Sequence, residues 1–391
     1  MKTLYKNAQI YQSGGSFARG DVWAENGGIV DAPVGGEAHG TADGAEHYAI
    51  PGLIDIHTHG CAGFDWMNAD ADKARRMTQY QAGAGVTSFC PSTIAAPLDH
   101  IKAAVARIFP EPSNRPPGGG WFYPMGISSP MGEIDSALKN FAESAFSEHI
   151  AGFNIEGPFL SPCKAGAQDV SSMCLPDAQF ILQLNETTGG LVKLVSIAPE
   201  LKGAMDFIRE ISAAGIVCSV AHTNADYELA TAAFAAGARH VTHLFNAMPP
   251  FLHREPGVIG AAADKPGVTV ELICDGVHVH PSVVRAAFRI FGADRITMVS
   301  DSMEAAGLGD GVYSLGGSPV EVRGSVARLR GGGVLAGSVS NLMDCLRTAV
   351  NVMGIPVADV VRASTETPAR VIGLPPPQNA ILLDEDLQLV R

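Results

Sequence analysis

Two histidines one residue apart, His57 and His59, follow the apolar run Leu53–Ile56. In a buried parallel strand side chains alternate between faces, so both imidazoles point one way and Thr58 the other. Converged, buried imidazoles are costly unless a cation uses their lone pairs, and neutral imidazole is the commonest metal ligand. Three more such residues each follow or end an apolar run: Glu156 before Gly157 and Pro158, His222 before Thr223, and His243 before Leu244. Taken singly, Glu156 has a cap as its lesser alternative, while His222 and His243 read equally as satisfied core histidines. Together they offer three N/O ligands with a position left open for water, the arrangement of a catalytic Zn²⁺-type site. His57, His59 and Asp301 complete a second cation position, with Glu156 bridging. Asp301 follows the run Ile296–Val299; without a cation near it, its burial would demand an Arg or Lys. It is read as the general base: a metal lowers the pKa of bound water towards about 7, and a neighbouring carboxylate takes that proton and returns it to a leaving group. Arg254 and His278 are candidate anion contacts, the guanidinium matching phosphate as a fork. His100, His149, His240, His253 and His280 are read as structural or surface residues.

These residues need a scaffold that gathers strand ends. Strand-like runs are expected at Leu53–Ile56, Val86–Cys90, Gly152–Ile155, Val192–Ile197, Ile216–Val220, His240–His243, Val268–Ile273 and Ile296–Val299. Helical patterns separate most of them, at Ala71–Ala82, Asp99–Phe109, Asp177–Gln183, Leu201–Ala213, Asp226–Ala236 and Ser282–Phe291. Such alternation predicts an α/β fold, a (β/α)8 TIM-type barrel or a doubly wound sheet. The polar residues fall after the strands, and only a closed barrel brings the ends of its first and eighth strands to one rim. The Pro- and Gly-rich stretch from residue 110 to 120 reads as a loop; Trp121–Ile127 is an alternative third strand, and Ile134–His149 an additional helix. Residues 1–50 read as strands, with Gly35–Gly44 as a turn. A hairpin is expected over Tyr313–Leu335, helices over Asn341–Met353 and Val357–Gly373, and a last short strand at Ala380–Asp384.

Composition narrows the class. The 391 residues are 46% hydrophobic, enough for a large core, yet contain no uncharged apolar run of about 18 residues that would span a bilayer. The N-terminus has no apolar signal core, so a cytoplasmic protein is expected. Seven cysteines, an odd number with no C-x-x-C, read as reduced core residues. A net charge of −13 argues against nucleic acid as a partner, and an anionic substrate must be caught by local positive charge.

The strings His57-Thr58-His59-Gly60, Glu156-Gly157-Pro158-Phe159, His222-Thr223-Asn224, His243-Leu244-Phe245-Asn246-Ala247-Met248-Pro249, Arg254-Glu255-Pro256-Gly257, Asp275-Gly276-Val277-His278 and Ser300-Asp301, in this order, resemble the N-acetylglucosamine-6-phosphate deacetylases of the amidohydrolase superfamily. The resemblance runs from about residue 48 to about 372. It implies a metal-bearing (β/α)8 barrel over 51–373, with a small β-sandwich built from 1–50 and 374–391, that hydrolyses the acetamide of an amino-sugar phosphate. It also implies Glu156, His222 and His243 as metal ligands, Asp301 as catalytic acid/base, and Asn246, Ala247, Arg254 and His278 as substrate contacts. The arginine would come from a neighbouring subunit, hence a homodimer. Keeping both His57 and His59 allows one or two divalent ions per chain, Zn first, with Fe, Co or Mn as options. The chain departs from the family pattern at Gln168, where a substrate-contacting histidine is common and where glutamine is expected to contact substrate as a hydrogen-bond donor that cannot titrate, in the length of 110–150, and in lacking the Gly-Lys-x-Ala-Asp-Leu stretch near the C-terminus. Alternatives are another N-acyl substrate, such as N-acetylgalactosamine 6-phosphate or an N-acyl amino acid, and a non-catalytic sugar-phosphate sensor, which has no need of Asp301.

Overall fold

The computed structural model describes residues 2–32, 40–108, 149–331, 333–375, 377 and 379–390. Eight parallel strands carry the chain's centre. β1 (Leu53–Thr58) pairs with β2 (Val86–Pro91). β3 (Phe153–Ile155), β4 (Val192–Ile197), β5 (Val217–Val220), β6 (His240–Val241), β7 (Thr269–Ile273) and β8 (Ile296–Val299) form one sheet in chain order. Isolated parallel bridges join the two pieces at both edges: Phe89 to Ile150 and Ser92 to Asn154 on one side, Thr58 to Ser302 on the other. The sheet is therefore curled, with its first and eighth strands neighbours, which a flat doubly wound sheet does not allow. The alternative third strand at Trp121–Ile127 and residues 134–148 of the expected helix lie outside the described residues.

Helices alternate with the strands where an aspartate can cap and an apolar stripe can pack. Asp70, Asp177 and Asp226 each accept backbone N–H bonds at the starts of Ala71–Gly83, Ala178–Thr188 and Tyr227–Ala236. Gly189, left-handed at φ 71°, ends the second of these. A further helix, Gly257–Ala263, lies between β6 and β7. No periodicity announces it, because six of its seven residues are buried, leaving no polar face to set a period. The single helix expected over Val357–Gly373 is two, Val357–Ser364 and Glu366–Val371, broken at Thr365.

Two packed layers result. Ile54, Ile56, Cys90, Leu194, Val217, Ile273 and Val299 form an inner cluster, closed by Ala369, Val371 and Ile372 from the C-terminal helix. The larger layer, including Phe89, Phe153, Ile197 and Phe207, fills the space between strands and helices. Both chain ends meet in a separate six-stranded sheet: Ala380–Leu383 pairs with Tyr48–Pro51 and with Gly28–Val30, and Thr3–Gln12 with Ser16–Glu25, Gly40–Asp43 and Tyr48–Pro51. Gly40–Asp43 is thus a strand, where a turn was expected; parallel pairing to Thr3–Lys6 supplies the backbone partners that its polar sequence hides. The hairpin expected after β8 is a three-stranded antiparallel sheet, Gly311–Leu315, Ser318–Arg323 and Val326–Leu329. Among the described residues no helix is long and apolar enough to cross a membrane.

Candidate metal centre

The C-terminal ends of β1, β3, β5, β6 and β8 converge on one point. Glu156 directly follows β3, while His222, His243 and Asp301 stand two residues beyond β5, β6 and β8. The last three have positive φ, at 41°, 29° and 48°. Non-glycine residues hold that conformation only where the surroundings over-determine it, and such strain gathers at functional sites. His57 and His59 need no such turn, since alternation along one strand sets them side by side, with Nε2 atoms 3.2 Å apart. Thr58 points away, to Ser302 Oγ at 2.8 Å.

Two triads of buried ligand atoms result, His57–His59–Asp301 and Glu156–His222–His243. Glu156 stands between them. Its Oε1 lies 3.1 Å from His243 Nε2 and 3.3 Å from His222 Nε2, and its Oε2 lies 3.3 Å from His59 Nε2. Asp301 Oδ1 is 3.2 Å from His59 Nε2 and 3.6 Å from His57 Nε2.

The donor set fits a divalent cation. His57 Nδ1 faces the Glu271 carboxylate at 2.8 Å, and His222 Nδ1 donates to the Lys164 carbonyl at 2.9 Å. With the proton on Nδ1, each neutral ring turns a bare Nε2 inward, the usual outer support of a metal-bound histidine. His222 thus brings its bare Nε2 to 3.1 Å from His243 Nε2 and 3.3 Å from Glu156 Oε1, so that a cation seated there would be met by both rings and the carboxylate. No Lys or Arg is buried among the described residues, so the ion pair that would have explained Asp301 structurally is missing.

The electrostatics agree. Burial alone would raise the Glu156 carboxyl, yet His57, His222 and His243 hold it well below the usual range. Asp301, equally opposed by burial, is lowered by His59 and His57. Conversely, burial would depress His59, but Asp301 and Glu156 push it up to about 9. The carboxylates are thus ionised and demand positive charge, which the imidazoles supply as protons when no metal does.

A cavity of about 230 Å³ opens onto this centre. It is lined by nine of the eleven site residues named from sequence: His59, Glu156, Gln168, His222, His243, Asn246, Ala247, His278 and Asp301. His57 lies behind it, fully buried. Gln168 grips the ligand set: its Oε1 accepts from Ala95 N–H at 2.6 Å and its Nε2 donates to Glu156 Oε2 at 2.5 Å. His278 is oriented by Asp275, whose Oδ2 is 2.7 Å from Nδ1. Arg254 is not brought to the centre of its own chain. It is exposed, donates to His253 Nε2 at 2.7 Å, and lines a different cavity beside Tyr227 and Asp264.

Three features escaped the sequence reading. Glu271 in the middle of β7 contacts His57, and Asp55 in the middle of β1 accepts from Ser300 Oγ at 2.5 Å. An apolar wall of Ile94, Leu315, Val334 and Leu335 faces the polar residues of the cavity. A lone acid inside an apolar run was the available signal for the first two.

The model of the amidohydrolase family matches residues 48–377. The chain is 35% identical over 353 residues to an N-acetylglucosamine-6-phosphate deacetylase of Bacillus subtilis, covering 88% of this chain and 81% of the relative. It is 31% identical over 324 residues to an N-acetylgalactosamine-6-phosphate deacetylase of Escherichia coli, covering 83% and 78%. A structure of N-acetyl-D-glucosamine-6-phosphate deacetylase from Mycobacterium smegmatis, solved in complex with N-acetyl-D-glucosamine-6-phosphate, superposes with a TM-score of 0.82 at 30% identity, covering 100% of this chain and 96% of that one. With strand ends, buried ligand triads and these likenesses together, the chain belongs to the amidohydrolase family and, within it, to the N-acetylglucosamine-6-phosphate deacetylases.

Proposed function

We propose that this chain hydrolyses the acetamide of N-acetylglucosamine 6-phosphate to glucosamine 6-phosphate and acetate, using divalent cations held by Glu156, His222 and His243 and, in a second position, by His57, His59 and Asp301. The observation that carries it is Asp301 Oδ1, 3.2 Å from His59 Nε2, at the wall of the cavity that both triads face. When bound, a divalent ion, Zn²⁺ first, supplies Lewis acidity to the acetamide carbonyl and acidifies the attacking water. Asp301 takes the proton of that water as its oxygen adds to the carbonyl carbon. It then delivers a proton to the amine nitrogen as the C–N bond breaks. Gln168 keeps Glu156 turned towards the ligands, and Asn246, Ala247 and His278 contact the sugar phosphate. Arg254 reaches the phosphate in the site of a second copy, which makes the working unit a homodimer; its exposure, away from its own chain's cavity, supports this reading. The scaffold is a closed (β/α)8 barrel over 51–373 with a small β-sandwich from 1–50 and 374–391, and the location is the cytoplasm.

Acetate release from N-acetylglucosamine 6-phosphate by metal-analysed protein, before and after chelation, is the test. Turnover that chelation abolishes and a divalent ion restores is expected; metal-loaded protein that releases no acetate rejects the reaction. The galactosamine isomer is a second reading, favoured by the Escherichia coli relative, and kcat/KM on the two epimers decides between them.

A further inference from the structure

The four inward-facing imidazoles are not supported alike. His222 Nδ1 is held by a backbone carbonyl, and His59 and His243 have no hydrogen-bond partner at Nδ1. His57 alone is held by a side-chain carboxylate, that of Glu271, with its Oε2 2.8 Å from Nδ1. Glu271 is fully buried in β7, between Val270 and Leu272, where a charged residue is expensive without compensation. Its Oε2 also accepts the backbone N–H of His243 at 3.1 Å, and its Oε1 lies 3.2 Å from His240 Nε2. His240 is fixed in turn by Thr269 Oγ1, 2.6 Å from Nδ1. One carboxylate thus ties the first strand's histidine to the sixth strand's end, and does so from beneath the cavity, which it does not line.

We infer that Glu271 is the positioning residue of the second cation site: it keeps the proton of His57 on Nδ1 and Nε2 turned to His59 and Asp301, so that occupancy of this triad depends on Glu271 while that of Glu156–His222–His243 does not. The inference rests on the two-cation reading above. A carboxylate behind an imidazole both orients the ring and raises its basicity, and loss of such a partner weakens metal binding about 10- to 100-fold. The tie from Glu271 to His243 reaches only its backbone, so the ligand atom of the other triad is not set by it.

The experiment titrates the whole chain with Zn²⁺ against a chromophoric chelator. Wild type is expected to take up two ions. Glu271→Gln, which keeps the volume and removes the charge, is expected to weaken the second ion about 10- to 100-fold and leave the first unchanged. Because Glu271 acts through His57, His57→Ala alone should lose the second ion, and adding Glu271→Gln to it should leave the first ion as tight as in His57→Ala. If Glu271→Gln does not fold, Glu271→Asp, which keeps the charge on a shorter arm, carries the same expectation. A purely structural staple would lower Tm with both affinities kept, or weaken both ions together; either result overturns the inference. A wild-type chain that binds a single ion overturns the two-cation reading and this inference with it, whereas two ions unaffected by Glu271→Gln overturn this inference alone.

Discussion

The two triads present similar atoms and are built in opposite ways. Glu156, His222 and His243 come from three strand ends, and two of the three sit in left-handed backbone. His57 and His59 are placed by pleat alone, and need Asp301, left-handed and two residues beyond β8, to close the set. The first triad is therefore a property of loops, backed by the Lys164 carbonyl and by Gln168. The second is a property of sheet curling, since β1 and β8 must touch for it to exist, and it is backed by a buried side chain. A site made this way can lose one half without losing the other.

The largest effect is expected at Asp301, the member of the second triad proposed above as the acid/base. Asp301→Asn should fold and retain the ion of the Glu156 triad, while kcat for acetate release falls about 10²- to 10⁴-fold. Near-wild-type turnover would remove Asp301 from the chemistry and leave it a ligand at most. Next comes a paired test of the asymmetry itself. His243→Ala removes one of three ligands from the first triad and should cost tight metal binding outright, beyond the roughly 10- to 100-fold that an outer partner is worth. His59→Ala should lower the metal content by one ion and spare the other. Equal losses in the two variants, measured as ions per chain after desalting, would mean that the triads form one cooperative site.

A smaller effect, confined to binding, is expected at Arg254. A charged hydrogen bond is worth about 1.5–3 kcal/mol, so Arg254→Ala should raise KM for the phosphorylated sugar about 10- to 100-fold, with kcat kept and the unphosphorylated sugar unaffected. In a mixed dimer with Asp301→Asn chains, activity on the phosphorylated sugar should depend on which chain carries which change. A KM that does not move would return Arg254 to the status of a solvated surface charge.

Much of this was legible because buried parallel strands read as apolar runs, and the titratable residues within two positions of the end of such a run mark the rim where both triads gather. His57, Glu156, His222, His243 and Asp301 were found that way, and the curling that joins β1 to β8 was implied by their needing one another. What stayed hidden was hidden for a physical reason. Glu271 interrupts an apolar run, and only its partner 214 residues away makes its burial intelligible. The helix Gly257–Ala263 is apolar all round and has no period to read. The strand Gly40–Asp43 is polar and owes its shape to pairing with Thr3–Lys6. Arg254 was identified by its motif, and no local pattern tells that its own chain keeps it out of the cavity.

The smallest expected effect concerns His278, which lines the same cavity. Burial alone would depress this imidazole, but the Asp275 carboxylate 2.7 Å from Nδ1 reverses that and holds it above the ordinary range of about 6.5. A histidine raised on folding contributes stability that is fully present below its unfolded pKa and is lost as pH rises through the folded value. Asp275→Asn removes the larger cause of the rise and leaves only the more distant charge of Asp301. The stability difference between wild type and variant, about 1 kcal/mol for one buried hydrogen bond, should therefore be widest below pH of about 6.5 and shrink towards alkaline pH. Urea unfolding of metal-free protein at acid and alkaline pH measures it. A difference that stayed constant with pH would mean that Asp275 acts only through its bonds to the backbone N–H groups of Val277 and His278, as a turn former and not as the partner of a charge.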